Sequence, residues 1–277
     1  MTARAHSPRA AAPRVFLYHA VVNQVPARLG WRERKYWMTA GEFKRHLAFL
    51  AASSHPVVDL ASVLPARASA PRASSLLWSL PLAAPAILTF DDGRASDAAI
   101  AWPLLREAGL PVTFFVNTAT LGRPGHLRWR DLREMSAAGA SFGSHGHHHA
   151  DFTRLSPHAI EIELRMSKDL IEGWIGRPVK FFAAPYGRVN ARVVDAALAA
   201  GYRAVCTSTP GAAIAGDPRV CRIAIHAGTP GEALGKWLAG NAAPYWTRRV
   251  RAACLELPKR LLPAPDSRAG IHTEAAL

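Results

Sequence analysis

The chain has 277 residues, enough for one large domain or two small ones around a sizeable core. Its 49% hydrophobic and 19% charged residues are globular rather than disordered proportions. No run of about 18 apolar residues exists, which excludes a hydrophobic spanning helix. The formal charge of +14 sits at the flanks: residues 1–50 hold nine Lys/Arg against two acids, and 241–262 hold five against one. A basic rim of this kind attracts anionic lipid, acidic glycan or nucleic acid. No DNA- or RNA-binding motif accompanies it, so nucleic acid is not an expected partner. The apolar run Val15–Tyr18 stops at His19, too short for a signal-peptide core. The expected location is cytoplasmic, with peripheral contact at an anionic membrane face as a secondary expectation. Cys206, Cys221 and Cys254 are odd in number and lack C-x-x-C spacing, which reads as reduced thiols.

Residues 1–13 and 263–277 lack periodicity and read as tails around a single domain, 14–262, whose motif-bearing core is 86–240. Arg14–Tyr18 has the composition of a buried strand. Thr39–Leu50 reads as a helix with Phe43, Leu47 and Leu50 on one face. Residues 65–85, rich in Pro, Ala and Ser, form an expected surface loop. From residue 86 the pattern alternates. Strands are expected at Ala86–Phe90, Val112–Val116, Ser141–Gly143, Lys180–Ala184, Ala204–Thr207 and Arg222–Ile225. Helices are expected at Ser96–Ala108, Asp131–Ala138, Pro157–Ile175 behind a Ser156 cap, Ala191–Ala200 and Gly231–Leu238. Repeated strand–helix units imply a parallel sheet covered by helices, either open or closed into a barrel. The segment Tyr245–Leu262 mixes Tyr245, Trp246, Val250, Leu257 and Leu261 with five basic residues, an amphipathic pattern that Pro258 interrupts.

Sites in parallel α/β folds lie at the carboxyl ends of the strands. Asp91-Asp92 follows one expected strand, His145 another and Pro185-Tyr186-Gly187 a third, so distant segments converge on one face. Adjacent carboxylates leaving a buried strand repel and lose hydration unless a cation or proton compensates. One can bind a metal while its neighbour handles a proton, although Asp-Asp-Gly is also good turn chemistry. The cluster Gly143-Ser144-His145-Gly146-His147-His148-His149 holds four of the chain's twelve histidines. Imidazole suits zinc, nickel, cobalt or iron. His145 and His149, four residues apart, can reach one ion, and His147 or His148 can equally be the second ligand. Two histidines and a carboxylate leave coordination positions open, as a catalytic metal requires.

Thr89-Phe90-Asp91-Asp92-Gly93, His145-x-x-x-His149 and Phe182-Ala183-Ala184-Pro185-Tyr186-Gly187 resemble the ordered motifs of the polysaccharide deacetylases, the NodB-homology carbohydrate esterases. Tyr18-His19, the Phe43/Leu47/Leu50 helix and Trp129–Gly143 add to a resemblance that spans roughly residues 14–240. It implies an α/β fold, a distorted (β/α) barrel of about seven parallel strands. It also implies metal-dependent removal of an acetyl group from an N-acetylated sugar of a polysaccharide or glycan precursor. On this resemblance Asp92, His145 and His149 hold the ion, usually zinc and sometimes cobalt or nickel. Asp91 is the general base for a metal-activated water, and the Tyr186 N–H stabilises the oxyanion. Pro185, Tyr186 and Gly187 contact substrate, an acetylated amino-sugar glycan or glycolipid.

The chain departs from the family pattern in three places. Ala183 stands where the family often has an arginine that orients the base, with Arg222 and Arg188 as candidate replacements. Cys206-Thr207-Ser208-Thr209-Pro210-Gly211 replaces the usual fourth motif. His226 is the expected general acid, although Ala227-Gly228-Thr229 after it does not match the family's last motif. His19 is expected to pack or hydrogen-bond beneath the pocket rather than line it, and the aromatic–basic stretch Trp31–Trp37 to anchor a loop to the barrel. Two other readings stand beside the deacetylase. One is an amidase acting on another acyl or formyl group. The other is an inactive glycan-binding member of the same fold, motivated by the missing arginine and the altered fourth motif.

Overall fold

A computed structural model of the chain describes residues 12–63, 83–214 and 216–241. By internal contacts the chain divides into Met1–Asn241 and Ala242–Leu277, and the fold below belongs to the first unit. The Tyr245–Leu262 segment, Cys254, the C-terminal tail and most of the expected N-terminal tail and 65–85 loop lie outside the described residues.

Ten strands occur among the described residues: β1 Arg14–Tyr18, β2 Ala20–Val22, β3 Trp37–Thr39, β4 Ala86–Phe90, β5 Thr113–Val116, β6 Ser141–Ser144, β7 Phe181–Ala183, β8 Ala204–Cys206, β9 Arg219–Val220 and β10 Arg222–Ala224. Eight form one sheet in the order β10-β1-β4-β5-β6-β7-β8-β9, and β2 pairs with β3 separately. Every pairing is parallel. Parallel strands covered on both faces are apolar throughout rather than alternating, and all five residues of β4, Ala-Ile-Leu-Thr-Phe, are buried.

No ladder joins β9 to β10, so hydrogen bonds do not close the sheet into a cylinder. The two edge strands are nevertheless consecutive in the chain, separated only by Cys221. The first half of this run pairs with β8 and the second half with β1. The sheet therefore curls until its edges share one piece of backbone. The sheet has eight strands where about seven were expected because this last run is broken in two. The short β2–β3 pair carries no usable alternation and was not foreseen.

The helices follow local chemistry closely. Thr39 caps Ala40–Ala52 in a reciprocal capping box with Glu42, and the buried face is Phe43, His46, Leu47 and Leu50. Ser156 caps Pro157–Ile175, and Gly176 ends that helix in the left-handed conformation at φ 65°. The expected helix Ser96–Ala108 is instead a π turn, Asp97–Ala101, leading into an α-helix, Trp102–Glu107. Pro103 has no N–H for the carbonyl one turn earlier, and the backbone widens just ahead of it. Among the described residues no helix is long and apolar enough to cross a membrane.

Inside the curl, Val15, Ile87, Phe115, Ala183 and Cys206 belong to one buried cluster. Gly143 on β6 lets the Phe115 ring lie against the backbone, since a Cβ there would collide with the ring and stand 3.0 Å from the Phe181 carbonyl. Gly143→Ala is expected to cost about 1–3 kcal/mol through overpacking. Urea unfolding of the full chain measures this, and an unchanged midpoint would mean that Phe115 has room to move.

Candidate active site and metal centre

Because the main sheet is wholly parallel, the carboxyl ends of β1, β4, β6, β7 and β10 open on one face. Asp91 continues β4, its N–H donating to the Tyr18 carbonyl at 3.1 Å. Asp92 then turns the chain with φ 79°, and Gly93 follows at φ 63°. This reversal sends the two adjacent carboxylates into different surroundings.

Asp91 points inward. Arg222 on β10 grips it at two points, Nη1 on Oδ1 and Nη2 on Oδ2, each at 2.7 Å. Arg222 is 0% exposed, and its Nε donates to the Thr207 carbonyl at 3.0 Å. Burial alone would push the Asp91 carboxyl up, but the Arg222 charge and the nearby His145 ring hold it below the ordinary carboxylate range.

Asp92 faces the histidines. Its Oδ1 lies 3.7 Å from His145 Nε2 and 3.5 Å from His149 Nε2, while Arg94 reaches Oδ2 at 3.3 Å. His145 Nδ1 is 2.7 Å from the Ala183 carbonyl, which can only accept, so Nδ1 carries the proton and Nε2 presents a lone pair. Ligands at about 2.0–2.1 Å from a tetrahedral ion lie roughly 3.4 Å apart. The Asp92–His145–His149 separations are close to that value, and the three ligand atoms lie within 4.8 Å of one another. This donor set fits a divalent cation. Asp91 Oδ2 stands 3.9 Å from the same His145 Nε2, beside the triad.

The geometry also separates the four histidines. His147 Nδ1 is 2.6 Å from Thr118 Oγ1, and His148 Nδ1 is 2.6 Å from Glu163 Oε1. Glu163 Oε2 further accepts the backbone N–H groups of His147 and His148. These two residues anchor the loop to the helix Pro157–Ile175, and the loop then delivers His149 at φ 56°. The buried Glu163, one helical residue among apolar neighbours, was the overlooked signal for this anchor.

Pro185–Gly187 forms a tight turn after β7 in which Tyr186 has φ 60°. At Gly187, φ is 67°, and a Cβ would meet Ser208 Oγ at 2.5 Å. The segment that replaces the expected fourth motif is thus the floor of this turn. The Tyr186 ring packs edge-on against His149, with centroids 4.8 Å apart. Asp92, His149 and Tyr186 are the only non-glycine residues with positive φ among the described residues. Such conformations cost of order 1–3 kcal/mol each and cluster at functional sites.

His19 and His226 stand on either side of Tyr36, with ring centroids 4.5 Å and 5.1 Å from it. His19 is half-buried with its Nδ1 shielded and unpartnered, and desolvation lowers the ring below its ordinary value against the upward pull of Asp92 and Asp91. Arg188, the other candidate partner for Asp91, instead pairs with Asp151 at 2.5 Å. In the Trp31–Trp37 stretch, Arg94 lies over the Trp37 ring and reaches Glu33, tying that segment to the Asp92 loop. This tie, together with Arg94 on Asp92, had no signal in the spacing of the motifs.

Comparison with known proteins bears on this arrangement. The polysaccharide deacetylase family model matches residues 83–205, which span the carboxylate pair, the histidine cluster and the Pro185 turn. Over this segment the chain is similar to the polysaccharide deacetylases. The protein YxkH of Bacillus subtilis (strain 168), whose name places it among polysaccharide deacetylases, is 30% identical over 154 residues, 55% of this chain and 55% of that protein. A chitin deacetylase of Arthroderma benhamiae is 31% identical over 101 residues, 36% of this chain and 27% of that one. The chain thus spans about half or less of the length of these relatives. Among solved structures, the Streptococcus pyogenes deacetylase PplD in complex with acetate superimposes with a TM-score of 0.71 at 23% identity, over 82% of this chain and 98% of that one. IcaB from Ammonifex degensii gives a TM-score of 0.65 at 22% identity, over 83% and 98%. At these identities the two structures establish a shared fold.

Burial pushes His145 down from 6.5 to about 4, against the upward pull of Asp91. Burial lowers His19 and His46 in the same direction. A depressed imidazole means that the unfolded chain binds more protons than the folded one between about pH 6.5 and 4. Metal-free protein is therefore expected to lose stability as pH falls through that window. The depressed carboxylates Asp91 and Asp92 add their own loss only below their unfolded value of 3.8. Urea midpoints at pH 7.5, 6 and 5 test this, and a flat profile above pH 5 would contradict the assigned neutral state of His145.

Proposed function

We propose that the chain is a metal-dependent hydrolase that removes the acetyl group from an N-acetylated sugar in a polysaccharide or glycan precursor. The observation that carries this reading is the Asp92–His145–His149 donor set with a second carboxylate, Asp91, 3.9 Å from His145 Nε2. The match to the polysaccharide deacetylase model supports deacetylation as the reaction and an acetylated carbohydrate, an amino-sugar glycan or glycolipid in this reading, as the substrate. A divalent ion held by Asp92, His145 and His149, with zinc favoured over cobalt or nickel, would supply Lewis acidity toward water and the acetyl carbonyl.

The remaining work belongs to the chain's own groups. Asp91, kept ionised by Arg222, takes the proton from the attacking water. The Tyr186 N–H, in the tight turn after β7, donates to the carbonyl oxygen as negative charge develops there. Pro185 and Gly187 fix the turn that aims it and, with the exposed Tyr186 ring, contact the sugar. Protonation of the departing nitrogen falls to a histidine beside Tyr36. The shielded, unpartnered Nδ1 of His19 favours His19 over His226, the residue expected from its place after the last strand.

Wild-type protein purified without a His-tag is expected to carry about one divalent ion per chain, and Asp92→Ala/His145→Ala none. Asp91→Asn should keep the ion while acetate release from N-acetylglucosamine oligomers falls at least about 100-fold. Metal analysis and acetate assays read both outcomes. An ion-loaded wild type that is silent across N-acetylated glycans would overturn the deacetylase reading. For the proton donor, His19→Gln should cost about 100-fold or more in kcat and His226→Gln less than about tenfold, and the reverse order would return the role to His226.

A further inference from the structure

We propose that the outer face of the helix Pro157–Ile175 is a self-association surface, through which two copies of this chain pair antiparallel about a twofold axis. The pairing is independent of the chemistry at the metal centre.

A helix lying on a sheet needs one apolar stripe, and this helix has two. The first, Ile160, Leu164 and Ile171 with Glu163 and Ser167, is buried. The second, Ile162, Met166, Leu170 and Trp174, recurs every four residues and stays between 37% and 45% exposed. Seven large apolar side chains are exposed among the described residues, and this one row holds four of them. The row runs about 18 Å along the helix, at about 1.5 Å per residue. Its last member is held in place: the Trp174 ring stacks on Trp129, with centroids 5.4 Å apart, and Arg133 lies over it. A ring fixed in advance gives up little freedom on contact, and a contiguous exposed apolar row marks an interaction surface.

The charges beside the row point to a second copy as its occupant. One residue ahead of each apolar position stand Glu161, Arg165, Asp169 and Gly173, a second row with the same spacing. Glu161 and Arg165 are both more than half exposed, and Arg165 Nε donates to Glu161 Oε1 at 2.9 Å. Asp169 is exposed as well. When a helix meets its own copy antiparallel, the same flank of both helices comes together and residue i faces residue j while j faces i. Met166 of one copy then meets Leu170 of the other, Ile162 turns toward Trp174, and Arg165 comes within reach of Asp169. Symmetry makes each of these contacts twice. A parallel pairing would instead set Arg165 against Arg165 and Asp169 against Asp169. Rows at four-residue spacing also suit the packing of ridges into grooves, the stripe of each copy entering the groove beside the other's stripe. Gly173 widens that groove, since a Cβ there would have nothing within 4 Å. An anionic bilayer fits the face less well, because Glu161 and Asp169 border the stripe. The contact is small, so the dimer is expected to be weak, with Kd on the order of 10 µM.

Sedimentation velocity on the untagged full chain, from about 1 to about 200 µM, reads the association, and circular dichroism reads the thermal midpoint of each variant. Wild type is expected to pass from monomer to dimer across that range. Met166→Glu/Leu170→Glu should raise Kd at least about 20-fold, leaving a monomer with a near wild-type midpoint. Arg165→Asp should raise Kd about fivefold or more, and adding Asp169→Arg to it should return Kd to within about threefold of wild type. Rescue by exchanging the two charges is what an antiparallel copy requires. A wild type that stays monomeric at the highest concentration overturns the proposal. So does a dimer that Met166→Glu/Leu170→Glu leaves intact, or an Arg165→Asp/Asp169→Arg protein that pairs as weakly as Arg165→Asp. A monomeric wild type whose midpoint drops in Met166→Glu/Leu170→Glu would assign the face to another segment of the chain, such as Tyr245–Leu262. A monomeric wild type that floats with phosphatidylglycerol vesicles, while Met166→Glu/Leu170→Glu does not, would assign it to lipid. Either result overturns the pairing of copies. Should Met166→Glu/Leu170→Glu fail to fold, the charge exchange alone decides: restored pairing upholds the proposal and unrestored pairing overturns it.

Discussion

A carboxylate buried at the mouth of a parallel sheet stays ionised only if a fixed positive charge answers it. In this chain that charge is Arg222, itself wholly buried, and it reaches Asp91 from the edge strand β10, with β1 lying between β10 and β4. Neither partner is tolerable alone, because removing one leaves an uncompensated buried charge at a cost of about 3–5 kcal/mol. The pair joins the end of β4 to the last strand over the intervening β1, on the strand that borders the seam.

The strain in the backbone is concentrated in the same place. Asp92 turns away from Asp91, His149 returns at the end of its loop and Tyr186 sits in the turn after β7, all with positive φ. Each is held by neighbours rather than by its own preference. Arg94 reaches Asp92, the Glu163 and Thr118 contacts fix the loop ahead of His149, and Ser208 leaves no room for anything larger than Gly187. The rigid parallel sheet below supplies the stability that lets these conformations persist. Three side chains from separate segments then meet at separations suited to one ion, with the proposed base beside them.

Much of this was readable along the chain. The helix Pro157–Ile175 was placed from Ser156 and Pro157, and the helix after Thr39 from the spacing of Phe43, Leu47 and Leu50, because caps and apolar spacing are local properties. The strands of the main sheet were visible as apolar runs because both their faces are covered. The carboxylate pair and the histidine cluster stood out by composition, yet the cluster did not reveal which histidines converge. That choice depends on Glu163, sixteen residues from His147, and on Thr118 on another loop. The π turn ahead of Pro103 and the β2–β3 pair stayed hidden, since one comes from an unpaired carbonyl and the other from strands only three residues long.

The sequence by itself determined the class of fold, the order of its elements and the residue types gathered at the strand ends. Periodicity, caps and the placement of Asp, His and Gly are written in neighbouring positions and need no third dimension to be read. Only the tertiary structure decided that the edges of the sheet meet at Cys221, that Arg222 rather than Arg188 answers Asp91, and that His19 lies in the field of both carboxylates. Those relations join residues as far apart as 131 positions, and a charge or a hydrogen bond acts through distance in space, whatever the separation along the chain.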